Sequence, residues 1–380
     1  MAAAYWILPD ACDTRIDPHG EWREAMDICK WERSRCNSVE MGLRRLQLLP
    51  MLQDFFCDGR GRRYFLAGGA GFIGSHFAET LLRDNFAGSV TIYDNLSSGR
   101  EWHYAAFQDD ERFRMVHDDV RNLAALTDAM AGHDVVIHLA SNPDIARAAI
   151  EPEIDFQQGT VLTNNVVEAM RLSGTTRLLY ASGSGVYGDL GDLEVREDYG
   201  PLVPISTYGA SKLAGEALIA SYCAMFGLTA CVFRFANVVG ARQTHGVGFD
   251  FVRRLMTDPR QLQILGDGKQ SKSYIHVSDV VRAVLHAEGH CTEPFAVFNV
   301  STGDAITVAE IAELAVECLK LEESVFQYTG GDRGWKGDVP VVRLNADKIR
   351  SLGWAPHHTS REAMRSALRE MIADERVCYA

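Results

Sequence analysis

Gly68-Gly69-Ala70-Gly71-Phe72-Ile73-Gly74 stands directly after the apolar run Tyr64–Ala67 and opens a helical pattern. Glycines three residues apart at a strand-to-helix turn let backbone N–H groups and a helix N-terminus approach a pyrophosphate. The next apolar run ends Ile92-Tyr93-Asp94-Asn95. It puts a carboxylate where it can accept the hydroxyls of an adenosine ribose and repel a 2′-phosphate, so the spacing predicts NAD rather than NADP.

Outward from this turn, Val90–Tyr93, Phe113–His117, Val135–Leu139, Leu178–Ser182 and Ala230–Phe235 are further short apolar runs separated by helical patterns. Continuous rather than alternating hydrophobicity marks strands buried on both faces, hence a parallel sheet between helices. The predicted fold is α/β: a Rossmann-type doubly wound sheet with a smaller C-terminal α/β domain. Residues 63–236 form the dinucleotide half, with a segment near 274–300 returning to it. Residues 237–273 and 301–380 form the second domain, with helices over Val308–Leu319 and Ser360–Ala373 and strands near Gln263 and Val341. Residues 1–62 lack the strand-helix alternation and hold four of the nine cysteines. Met41–Leu49 suits an amphipathic helix stopped near Pro50, and the segment reads as an extension dispensable for chemistry.

Composition narrows the function. The net charge is −13 and no run of five basic residues occurs, which argues against a nucleic-acid surface. No apolar run approaches the roughly 18 residues of a spanning helix, and Ala2–Pro9 lacks the basic flank of a signal peptide. Nine cysteines with no C-x-x-C pair suggest neither a disulfide framework nor a zinc site, so a cytoplasmic, metal-free protein is expected. His357-His358 has no partner cluster and reads as an exposed loop, and Cys223 and Cys231 read as core packing.

Tyr208-Gly-Ala-Ser-Lys212 places a phenol and an ammonium four residues apart on one helix face. Tyrosine, with a pKa near 10, is a poor base at neutral pH; a neighbouring ammonium and a cationic nicotinamide favour its phenolate. Such a pair suits removal of a hydroxyl proton as hydride departs.

With these motifs the chain resembles the extended short-chain dehydrogenase/reductase family, in its nucleotide-sugar epimerase/dehydratase branch, and the UDP-glucose 4-epimerases most. The likeness runs from about Arg63 to Pro356 and includes Asp118-Asp119-Val120, His138-Leu-Ala, Val186-Tyr-Gly, Arg234-Phe-Ala-Asn237, Gly266-Asp-Gly and Gly337-Asp338-Val-Pro. It implies cofactor contacts by Gly68, Gly71, Phe72, Ile73, Gly74, Asp94, Asn95, Ser97, Gly99, Asp119, Val120, Leu139 and Ala140, together with Tyr208 and Lys212. It also implies a nucleotide sugar, best a UDP-hexose, held by Asn237, Lys272, Arg333 and Asp338, and a homodimer; the apolar stripes of Ala210–Tyr222 and of the helix through Asn164, Val167 and Met170 read either as core or as its four-helix interface.

Two positions depart from the family pattern. Gly183 stands three residues before Val186, where the epimerases carry a catalytic hydroxyl; Ser184 or Ser182 could supply it if the glycine-flanked backbone shifts. Lys272 stands where an arginine is common and offers a point charge in place of a bidentate fork. The related 4,6-dehydratases use an Asp-Glu pair at the positions of Ser184 and Gly185. The reading is therefore an NAD-dependent 4-epimerase, with an atypical dehydratase or a weakly catalytic NAD-binding regulatory protein as alternatives.

Overall fold

The computed structural model describes residues 61–83, 86–374 and 376. Of the extension expected over 1–62, residues 1–60, with the expected helix at 41–49, lie outside them, and Arg62 opens the first strand instead. Seven strands form one all-parallel sheet in the spatial order Phe295–Val300, Thr229–Phe235, Arg177–Gly183, Val135–His138, Arg62–Ala67, Ala87–Asp94, Phe113–His117. The chain direction across the sheet reverses between Arg62–Ala67 and Val135–His138, the place where such sheets open a crevice at their carboxyl ends.

Strand residues alternate between two cores. Tyr64, Leu66, Val135, Ile137, Leu179, Cys231 and Phe233 pack on one face with Phe77 and Leu81 of the helix Phe72–Leu82 and with Val280 and Val284 of Val277–His290. Phe65, Ala67, Val136, Leu178, Tyr180 and Val232 pack on the other with Leu126, Val166, Met170 and Ile219. Both sets are apolar because both faces are covered, which is why the strands read as unbroken runs.

Val167 and Met170 belong to this second core, so the inner stripe of the helix Leu162–Ser173 is core and not dimer surface. Cys231 is buried in the first core, as expected, while Cys223 is half-buried against the second. A third core joins Phe249, Phe251, Val252 and Leu255 to Ile311, Leu314, Met364 and Leu368. Its helices Val308–Leu319 and Ser360–Ala373 begin at capping boxes, Thr307 with Glu310 and Thr359 with Glu362. Among the described residues no helix is long and apolar enough to cross a membrane, and no His/Cys/Asp/Glu group could hold a metal ion. His358 is half-buried and engaged rather than a free loop residue: its Nδ1 lies 2.8 Å from Asp279 Oδ2.

Candidate active site

The predicted dinucleotide positions from Gly68 to Ala140 lie at or just after the carboxyl ends of parallel strands, so the topology gathers them at one sheet edge. The glycine turn follows the strand Arg62–Ala67. Gly68 has φ +80°, and a Cβ there would sit 2.5 Å from Ala140 N. A Cβ on Gly74 would sit 2.6 Å from the Gly69 backbone. These contacts leave no room for a side chain at either glycine, the close backbone packing that a pyrophosphate-binding turn requires. Asp94, 8% exposed, accepts Ala70 N–H at 2.9 Å and Leu96 N–H at 2.8 Å, and so holds the turn. Burial raises its pKa, and those two backbone donors work against that rise.

Asn95 accepts Ser97 N–H at 3.0 Å and donates to Asp119 at 2.8 Å, which joins the second and third strand ends; Val120 is buried beside them. The backbone N–H groups of Leu139 and Ala140 both donate to Ala67 O, at 2.8 and 2.9 Å, which fixes the fourth strand end against the first.

Ser206 caps the helix Thr207–Phe226 by accepting Gly209 N–H at 3.1 Å, which sets Tyr208 in its first turn. A Cβ on Gly209 would lie 2.4 Å from Gly185 O, so this helix start presses against the turn that carries Ser184. Lys212 Nζ donates to Ala181 O at 2.8 Å and stands 5.6 Å from the centre of the Tyr208 ring. Burial lowers Lys212 to about 8, with Glu216 and Asp155 opposing. Burial raises the Tyr208 pKa, a hydrogen bond with Ser141 opposes the rise, and the Asp155 charge adds to it.

The strand end corrects an expectation. Gly183 has φ −156° and ψ 164°, extended backbone open to any residue, and a Cβ there would meet nothing within 4 Å. No glycine-dependent shift is needed. Ser182, 4% exposed, donates its hydroxyl to Glu216 Oε1 at 2.5 Å. Ser184 is half-buried, and among the described residues its hydroxyl has no hydrogen-bond partner.

On the other wall, the strand Asn237–Val239 pairs with Tyr274–His276, and Asn237 donates to Ser273 O, next to Lys272. Lys272 Nζ donates to Asp338 Oδ1 at 2.5 Å, while Arg333 donates to Asp338 O and to Asp189 Oδ2, both at 2.6 Å. All four predicted substrate residues are thus brought into one network or its neighbourhood.

Sequence reasoning missed Ser141, Asp155, Asp189 and Glu216. Glu216 alone carried a signal, standing at i+8 from Tyr208 and i+4 from Lys212 on the same helix face.

Residues 64–301 match the NAD dependent epimerase/dehydratase family. The chain is 30% identical over 319 residues, 82% of its length and 99% of the relative's, to a putative UDP-glucose 4-epimerase of Methanocaldococcus jannaschii. Among solved structures it is similar to a UDP-galactose 4-epimerase, with TM-score 0.72, 35% identity and coverage of 82% of this chain and 98% of that one. It is also similar to a dTDP-glucose 4,6-dehydratase of Streptomyces venezuelae solved with NAD bound, with TM-score 0.76, 26% identity and coverage of 82% and 98%. The glycine cradle, the Asp94 carboxylate and the Tyr208–Lys212 pair fit NAD, and this chain belongs to the NAD-dependent epimerase/dehydratase family, within the extended short-chain dehydrogenases/reductases.

Proposed function

We propose that the protein is a nucleotide-sugar 4-epimerase acting on a UDP-hexose. One observation carries the choice over dehydration: Asp155 and Glu216, the carboxylates whose charges act on the catalytic pair, are already held by protein donors, as is Glu197. Asp155 accepts Thr207 Oγ1 at 2.6 Å and Asn142 Nδ2 at 2.8 Å. Glu216 accepts Ser182 and Arg234, and Glu197 accepts Asn299 N–H at 2.7 Å. Elimination of water needs an acid for the leaving hydroxyl and a base for the C5 proton, and the turn that would carry them reads Ser184-Gly185.

Tyr208 removes the C4 hydroxyl proton and Ser184 hydrogen-bonds the C4 oxygen. Bound NAD would supply the acceptor and donor for the C4 hydride. Asn237, Lys272, Arg333 and Asp338 hold the nucleoside diphosphate while the 4-keto sugar turns to offer its other face, and Tyr208 returns the proton. The segments 237–273 and 301–380 supply this substrate wall. UDP is supported by the relatives, several of which are named UDP-glucose 4-epimerases.

A second reading, 4,6-dehydration, is favoured by the dTDP-glucose 4,6-dehydratase at TM-score 0.76. A UDP-hexose deuterated at C4 separates the two. Label recovered at C4 of the epimer supports epimerisation; label at C6 of a stable 4-keto product overturns it.

The outer face of Thr207–Phe226 leaves Met225 71% and Phe226 44% exposed, beside Leu172 at 51%. An apolar face of this kind supports a homodimer through these helices. Met225→Glu is expected to halve the mass seen in light scattering.

A further inference from the structure

Tyr208, Lys212 and Glu216 follow one another at i, i+4 and i+8 on the helix Thr207–Phe226, and the chemistry above uses only the first two. Glu216 is 5% exposed. Its Oε1 accepts the Ser182 hydroxyl at 2.5 Å and Arg234 Nε at 3.1 Å, and its Oε2 accepts Arg234 Nη2 at 2.7 Å. Arg234, equally buried, also donates to the Tyr187 hydroxyl at 2.9 Å, and that hydroxyl donates to Asn299 Oδ1 at 2.8 Å. The helix therefore grips the strand Arg177–Gly183 twice: Lys212 at Ala181 O and Glu216 at Ser182. A buried ion pair adds little stability over apolar side chains of like volume, so packing alone does not account for a charge at this place.

We infer that Glu216 is a positioning residue of the active site. It takes up the Ser182 hydroxyl, which leaves Ser184 alone to serve the sugar, and its charge holds Lys212 as an ammonium. This role rests on the 4-oxidation reading, which gives Tyr208 and Lys212 their tasks.

The surroundings of Lys212 decide the sign of the effect. The rings of Tyr180 and Tyr208 flank its ammonium, at 5.2 and 5.6 Å from their centres. His138, on the neighbouring strand, is held neutral by burial, with a pKa near 3. Asp155 and Glu216 are the two carboxylates that favour the ammonium against burial, and Arg234 is neutralised by Glu216. With Glu216 uncharged, Lys212 loses its proton at lower pH, and the Tyr208 phenolate loses its cationic partner there.

The test uses the full chain with NAD and the UDP-hexose. Glu216→Gln keeps an acceptor for Ser182 and Arg234 but removes the charge. The alkaline limb of kcat is expected to move down by about one pH unit, with KM within about twofold. Glu216→Asp, which restores the charge, is expected to return the limb to its original pH. An unmoved limb in folded Glu216→Gln overturns the inference. Because the uncompensated Arg234 can prevent folding, a second pair of variants leaves the ion pair intact. Ser184→Ala is expected to cost about 10 to 100-fold in kcat and Ser182→Ala less than about threefold; equal losses overturn the inference. Tyr208→Phe distinguishes the levels: retained turnover there overturns the 4-oxidation reading itself, whereas its loss with an unmoved Glu216→Gln limb overturns only the positioning role.

Discussion

The residues assigned to the dinucleotide wall and those assigned to the substrate wall are held by different means. On the dinucleotide wall, backbone does the shaping: Gly68 against Ala140, Gly74 against Gly69, and backbone N–H groups of Ala70 and Leu96 on Asp94. On the substrate wall, long side chains hold one another: Lys272 on Asp338, Arg333 on Asp338 O and on Asp189. A wall made of close backbone contacts has one shape and fails when an atom is added. A wall made of ion pairs exchanges partners and is tuned by charge.

Breaking the first wall should have the largest effect. Gly74→Ala inserts a Cβ 2.6 Å from backbone that has no room to yield. It is expected to destabilise the fold by about 3 kcal/mol and to abolish NAD retention through purification. A thermal transition and a bound-NAD absorbance that both match the parent protein would show that the turn is looser than its contacts. Asp94→Ala tests the same wall through its one charged member. It strands two backbone donors and removes the ribose acceptor, so NAD affinity by calorimetry is expected to fall about 10 to 100-fold while NADP affinity changes less. Equal losses for both dinucleotides would remove the ribose from its role.

This contrast also explains what the sequence disclosed. The glycine spacing, the strand-end Asp94 and the Tyr208–Lys212 pair were legible because each obeys a local rule: a turn, a strand terminus, a helix face. The six strand runs and the helices Val308–Leu319 and Ser360–Ala373 were legible because a sheet covered on both faces and capped amphipathic helices leave periodic patterns. The engagement of Ser182 by Glu216, 34 residues away, was not, because partner choice among buried polar groups depends on tertiary contact. The same holds for Asp189 and Arg333, 144 residues apart.

The substrate wall should respond by degrees. Arg333→Ala removes a charge-assisted donor and is expected to raise KM for the UDP-hexose about tenfold with a smaller change in kcat. An equal loss in both constants would place Arg333 at the reacting sugar instead of the diphosphate. Between the walls, Gly183→Ser adds a hydroxyl at an extended, open position, so the thermal transition should stay within about 1 °C and kcat within about threefold. A tenfold rise in kcat would mean that the native strand end lacks the hydroxyl that Ser184 is assigned.

The smallest effect, and the sharpest probe of partner exchange, belongs to Asp189→Asn. Arg333 Nη2 donates to Asp189 Oδ2 at 2.6 Å, with the two side chains 35% and 27% exposed. If the diphosphate is to take this guanidinium, it must displace the carboxylate, and a partly exposed ion pair of this kind is worth only about 0–1 kcal/mol. Asparagine keeps a carbonyl acceptor and gives up the competing charge. The affinity for UDP should therefore rise, by no more than about fivefold, and the rise should shrink as salt screens both pairings. Lower affinity in Asp189→Asn would show that Asp189 orients Arg333 for the substrate rather than competing for it, and the substrate wall would then be preset like the dinucleotide wall.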